Sequence, residues 1–188
     1  KVEQSNALCT DSPAHECPYE VYRTSGDIEG TWESVLANLR SALKFIGEDS
    51  PSRSAPLSRP GLWAYPDMLA VGFLRSTRED KSHFGAWAIL SSPLTLSFDL
   101  TDSATFDRVW PIISNKHILR VNAAWAGAPG RLVSHSADIM ILAKNLGGGE
   151  HAAFVLAVGE SGAKVTLDVA QLMRSRAPTA RVLDLYDN

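Results

Sequence analysis

Trp32, Val35, Leu36, Leu39, Leu43 and Ile46 recur at three- and four-residue intervals, and Gly47 follows directly, so this stretch predicts an amphipathic helix with one buried stripe. Thr31 stands at its N-cap position and Glu33 puts a negative charge in the first turn, where the helix dipole favours one. Residues 47–61 (GEDSPSRSAPLSRPG) then mix Pro, Ser and charge without a period and predict a long loop. The short apolar run 68–71, bounded by Pro66 and Gly72, has the character of a strand buried on both faces. A second helix is predicted over 79–91, with Phe84, Trp87, Ala88 and Leu90 inward and Pro93 preventing continuation. Residues 94–100 predict a strand, 103–113 a third helix interrupted near Pro111, and 118–122 a further extended run.

From the turn-rich GAPG at 127–130 onward the helical period disappears. Residues 139–143, 153–158, 164–169 and 181–186 are the strand candidates, separated by GGGE and GESG at hairpin-like spacing. The chain therefore divides into 1–126, where strands and helices alternate, and 127–188, a small antiparallel β unit forming a second domain. The glycine run 147–149 lies between two predicted strands, which makes it a hairpin turn; a phosphate cradle needs a helix N-terminus behind it.

Composition narrows the function classes. Of 188 residues, 45% are apolar and 21% charged, which is a globular chain with one sizeable core and excludes disorder. Eighteen Lys and Arg against 21 Asp and Glu give a net charge of -3, so nucleic acid is excluded as a partner. The longest apolar runs, 84–90 and 152–158, fall far short of the roughly 20 residues a bilayer-crossing helix needs, and no membrane partner is expected. A first residue of Lys1 and the absence of a signal-peptide succession in KVEQSNAL point to a processed product or a fragment. Cys9 and Cys17 flank CTDSPAHEC, which suits a small disulfide loop; with His15 they would make only three of the four ligands of a closed zinc site. An oxidised pair would mean a secretory, vacuolar or lysosomal compartment. No phosphate loop, dinucleotide fingerprint or helical zinc motif occurs, and the five histidines show no ligand spacing.

Two stretches put a carboxylate at the end of an extended segment. In YRTSGDIEGTW, Arg23 and Asp27 are four residues apart through a Ser-Gly turn that could aim both at one cavity. In RPGLWAYPDMLAVG, Asp67 follows the rigid Trp63-Ala64-Tyr65-Pro66 segment. On spacing alone Asp27 reads first as a capping or loop aspartate ahead of the helix, paired with Arg23 on the surface, and Asp67 can likewise serve as a turn residue bonding backbone amides. Trp63, Tyr65 and Met68 are of types found more often in cores than in pockets.

The words YRTSGDIEGTWESV, PGLWAYPDMLAVG, HFGAWAILSSPLTLSFDL and NKHILRVN, in this order and spacing, resemble the α-galactosidase (melibiase) family of glycoside hydrolases, family 27, over residues 5–188. The resemblance implies an α/β chain holding the C-terminal half of a (β/α)8 TIM barrel followed by a small antiparallel β-sandwich. A whole barrel takes about 250 residues, so the first half would be absent. Residues 5–9 would be the fifth strand, 21–23 the sixth, 68–71 the seventh and 94–97 the eighth.

By the same resemblance the reaction retains configuration and uses two aspartates, a nucleophile and an acid/base, with no cofactor and no metal. Asp27 matches the catalytic acid/base and Arg23 the arginine that contacts the sugar. Asp67 and Met68 match pocket residues, and Cys9 a strand-end cysteine that pairs with one near Cys17. The nucleophile's Lys-Tyr-Asp element does not occur in these residues. Three departures are visible. Ala64 and Tyr65 replace Asn and Asp of the Trp-Asn-Asp-Pro-Asp element, Asn122-Ala123-Ala124 stands for Asn-Gln-Asp, and Thr10 occupies the place of a glutamate that reads the sugar 2-hydroxyl. A small residue at Thr10 is similar to α-N-acetylgalactosaminidases, so terminal α-galactose and α-N-acetylgalactosamine both stay open. The implied partners are α-galactoside saccharides or glycoconjugates, with a homodimer as an open form of association. The implied location is secreted, vacuolar or lysosomal. The other class left open is a non-catalytic carbohydrate-binding or pseudoenzyme fragment, because one catalytic carboxylate cannot run a two-carboxylate mechanism.

Overall fold

A computed structural model describes residues 19–46, 56–159, 164–174 and 180–186. Thr10, Cys9, Cys17 and the expected fifth strand lie outside the described residues.

The first unit is strand, helix, strand. Strand β1 (Val21–Arg23) lies parallel to β2 (Trp63–Tyr65), with Val21 opposite Trp63 and Arg23 opposite Tyr65, and helix α1 (Trp32–Ile46) makes the crossover that a parallel pair requires. The amphipathic reading of α1 holds from end to end: Val35, Leu36, Leu39, Ala42, Phe45 and Ile46 are buried. The Thr31 hydroxyl accepts from the Ser34 amide as the N-cap should, at 3.3 Å.

The expected seventh strand at 68–71 is displaced. The paired strand is β2, and the chain leaves it at Pro66, which has no amide hydrogen, and Asp67, whose φ of +78° is incompatible with a strand. Among the described residues, Leu69 alone of 68–71 makes a bridge, parallel to Leu96, which is also all the pairing found there for 94–100. Helix α2 (Thr77–Ile89) begins two residues before its expected start, where the Ser76 side chain caps the Glu79 amide. Helix α3 (Ser103–Ile113) is not interrupted at Pro111. The proline falls in the last turn, and the helix is held by its Asp102 cap, by buried Val109 and Ile112, and by Phe106 stacked on Trp110.

The extended run expected at 118–122 is instead helix α4 (Lys116–Ala123). The Asn115 side chain caps the amides of His117 and Ile118, and Ile118 and Val121, three apart as on one helix face, point to the core. The tail is an antiparallel sheet ordered β3 (Arg131–His135), β4 (Ile139–Gly147) and β5 (Glu150–Ala157). The glycine turn is where it was expected, closing β4 to β5, whereas β3 escaped the sequence reading. Residues 164–168 find no strand partner among the described residues and run into a short helix, α5 (Val169–Met173), capped by Asp168; residues 181–186 are likewise not a strand. Residues 185 and 186 pack on the helices instead: the Asn115 side-chain Nδ2 donates to the Leu185 carbonyl at 2.8 Å and the Tyr186 hydroxyl to the Lys81 carbonyl at 2.6 Å.

One apolar core runs through the helices and the sheet. It joins Leu39, Leu69, Phe84, Trp87, Val109 and Ile118 to Met140, Leu142 and Leu156. Gly85 of α2 permits this, since a Cβ there would lie 2.6 Å from the Phe154 ring of β5. Among the described residues the antiparallel unit is a single sheet backed by α2, not two facing sheets. No helix among them is long and apolar enough to cross a membrane.

Candidate active site

Parallel strands carry their ends in the same direction, so the residues following β1 and β2 emerge side by side. Arg23 is the last residue of β1 and Asp67 lies two residues past the end of β2. The Arg23 Nη2 donates to Asp67 Oδ2 at 2.6 Å and to Asp27 Oδ1 at 2.7 Å, so one guanidinium nitrogen joins the two carboxylates that the sequence singled out. The Ile28 amide donates to the same Asp67 oxygen at 2.8 Å. That bond ties the loop bearing Asp27 to the turn bearing Asp67.

The two aspartates differ in their surroundings. The Asp67 side chain is 10% exposed and that of Asp27 is 94% exposed. A pair as open as Arg23–Asp27 contributes little to stability, about 0–1 kcal/mol; its importance is that it leaves a carboxylate accessible beside a fixed cation. Met68, partly exposed, follows Asp67 directly on the same turn. Trp63, at the start of β2, stacks edge-on with Trp125 at 5.3 Å, and Tyr65 uses its carbonyl to accept the Thr24 amide, so neither departure residue Ala64 nor Tyr65 interrupts the strand pair.

Side chains from three helices hold the Asp67 turn. Asn38 of α1 donates to the carbonyls of Pro66 at 3.0 Å and Gly26 at 3.3 Å, thereby gripping both loops. Trp87 of α2 donates from Nε1 to the Asp67 carbonyl at 2.8 Å, and His83 accepts the Ala70 amide on Nε2 at 2.9 Å. Asp80 accepts the Gly72 amide at 2.9 Å and pairs with Arg108 of α3 at 2.6 Å, while Arg108 Nη2 donates to the Gly72 carbonyl at 2.7 Å. Burial lowers the His83 pKa to about 3, so the imidazole is neutral and free to accept.

Asn38, Asp80, His83 and Arg108 were not singled out from the sequence. The available signal was a polar residue on an apolar stripe: Asn38 falls between Val35 and Ala42, and Asp80 and His83 are in register with Phe84 and Trp87. No group of three or more His, Cys, Asp or Glu that could hold a metal ion occurs among the described residues.

The site's residues can be set beside known proteins. The alpha galactosidase A family profile matches residues 11–124, which include Arg23, Asp27 and Asp67. The chain is 31% identical to Alpha-galactosidase 2 of Arabidopsis thaliana over 89% of its length and 40% of that protein's, and 31% identical to Alpha-N-acetylgalactosaminidase of Rattus norvegicus over 67% of its length and 29% of that protein's. The crystal structure of alpha-galactosidase I from Mortierella vinacea superposes with a TM-score of 0.63 at 23% identity, over 81% of this chain and 41% of that one. The chain thus spans about two fifths of the length of the first of these relatives. With the matched span taking in both strand ends and the residues joined across them, this chain belongs to the alpha galactosidase A family of glycoside hydrolases.

Proposed function

We propose that these residues form part of a retaining α-galactosidase-type hydrolase acting on a terminal α-linked galactose or N-acetylgalactosamine. The observation that carries the reading is the Arg23 guanidinium bridging Asp27 and Asp67 at the ends of adjacent parallel strands, the end of a β/α barrel where its chemistry is built. Asp27, exposed beside that cation, serves as acid and then base: it protonates the leaving oxygen, then takes a proton from the water that releases the sugar. Arg23 and the fixed Asp67 carboxylate hold sugar hydroxyls, with Met68 against the ring and Thr10 near the 2-substituent. The second carboxylate of the mechanism, the nucleophile, comes from a preceding part of a longer polypeptide. Residues 1–126 are then the later half of a (β/α)8 barrel, and 127–188 a C-terminal β-sandwich of which β3, β4 and β5 form one layer. The secreted, vacuolar or lysosomal setting, the Cys9–Cys17 pairing and the open homodimer belong to the same reading.

The test is hydrolysis of aryl α-D-galactoside and aryl N-acetyl-α-D-galactosaminide, by the 188-residue chain and by the full-length polypeptide carrying it. Activity in the longer form, falling at least about a hundredfold in Asp27→Ala and less with better leaving groups, is the expected result. Unchanged rates in Asp27→Ala would remove the acid/base assignment. Saccharide binding without turnover in either form would favour the non-catalytic reading, which the absence of a Lys-Tyr-Asp element from these residues keeps in view.

A further inference from the structure

Two side chains of α2, one helical turn apart, reach the turn that carries Asp67. Trp87 donates to the Asp67 carbonyl at 2.8 Å and His83 accepts the Ala70 amide at 2.9 Å. Both are fully buried, and their rings meet edge-to-face with centroids 4.1 Å apart, so each fixes the other. The histidine is an odd choice for a purely space-filling position. Since Nε2 accepts, Nδ1 carries the proton, and Nδ1 is buried with no hydrogen-bond partner among the described residues. Leucine or phenylalanine would fill the volume without stranding a donor. What histidine adds is an acceptor facing one backbone amide.

That amide belongs to a turn that needs holding. Asp67 sits at φ +78°, a region costly for a residue with a Cβ and retained only where the surroundings over-determine it. The result is a defined direction for its carboxylate, whose Oδ2 receives Arg23 Nη2 and the Ile28 amide together. We propose that His83 and Trp87 are positioning residues that pin the 67–70 backbone from behind and thereby aim the Asp67 carboxylate at Arg23 and the Asp27 loop. Its consequence for sugar binding rests on the reading of Asp67 given above, whereas the aiming itself does not. The neutral imidazole is essential, because an imidazolium would present a donor to the Ala70 donor.

The experiment compares His83→Leu, His83→Gln and Trp87→Phe with the wild type in the full-length polypeptide, reading amide hydrogen exchange at Ile28 and at Leu39 in the middle of α1, together with kcat and KM on aryl α-D-galactoside. His83→Leu and Trp87→Phe should speed exchange at Ile28 about tenfold or more while Leu39 changes by less than about twofold, because the loss is local. KM should rise about tenfold with kcat changed less than about threefold, the signature of lost binding. Glutamine, whose Oε1 can accept the Ala70 amide, should recover most of both effects. Equal acceleration at Ile28 and Leu39, an unchanged Ile28, or a glutamine variant no better than leucine would overturn the proposal. If His83→Leu does not fold, Trp87→Phe decides by the same exchange criterion. A wild type without turnover would remove the hydrolase reading and leave the exchange result to judge the positioning.

Discussion

The turn at 66–72 and the hairpin between β4 and β5 solve the same problem in opposite ways. In the hairpin, backbone groups from Ile139 to Gly147 pair with those of 150–157 along one antiparallel ladder, and Gly147, Gly148 and Gly149 supply three successive positive φ angles that reverse the chain. In the turn almost nothing repeats. The Pro66 carbonyl goes to Asn38, the Asp67 carbonyl to Trp87, the Leu69 carbonyl to Ser97, the Ala70 amide to His83 and both Gly72 groups to Asp80 and Arg108. A ladder tolerates exchange of almost any side chain but permits one geometry. Side chains permit an arbitrary geometry, which a binding site needs, and each becomes hard to replace.

Breaking the turn should therefore cost more than breaking the hairpin. Asp80→Ala strands the Gly72 amide and half of the Arg108 fork, and should lower stability by about 2–3 kcal/mol, read from the urea midpoint at constant slope. Within the hairpin, Gly148→Ala meets nothing within 4 Å and suffers only from its φ of +61°, so about 1 kcal/mol is expected, with Gly148→Asn milder still. An effect of Gly148→Ala matching that of Asp80→Ala would erase the contrast.

The smallest effect is expected where the sheet meets the helices. Lys144 of β4 is buried with its ammonium on the carbonyls of Val121 and Asn122 at the C-terminal end of α4, and burial lowers its pKa to about 8. In the unfolded chain it titrates near 10.5, so between about pH 8 and 10.5 the unfolded state binds more protons and stability rises with pH. Lys144→Met should alter stability at pH 7 by less than about 1 kcal/mol, because the lost bonds are offset by relief of burial. It should also abolish the rise above pH 8; a methionine variant keeping that rise would assign it to another group.

How much of this was legible follows from the same distinction. Helix α1 was readable because its stripe at 32, 35, 36, 39, 43 and 46 records its own burial, and the GGGE turn because glycine is the residue that the turn geometry demands. Arg23, Asp27 and Asp67 stood out as charges at element ends, and the structure brings these three together. The strand misplaced onto 68–71 shows the limit: four apolar residues bounded by Pro and Gly satisfied the pattern, but the extended segment was Trp63–Tyr65, and the turn after it depends on Asn38, His83, Trp87 and Arg108, which lie far away in sequence. Helix α4 was not legible because its eight residues bury only Ile118 and Val121, too few to declare a period, and β3 because its burial alternates weakly.

Helix α2 presents one flank to the turn that carries Asp67 and the other to the sheet, where Gly85 lies against Phe154, the Lys81 carbonyl receives the Tyr186 hydroxyl, and the Ile89 carbonyl receives the Gly130 amide. A single rod thus serves as wall to both rooms. Removing the tail would unseat that wall, and exchanging it for the tail of another protein would require a partner side chain shaped to the notch at Gly85. Helices and sheet thus share one element, so substitutions on the buried face of the sheet far from any carboxylate will be felt at the turn that carries Asp67.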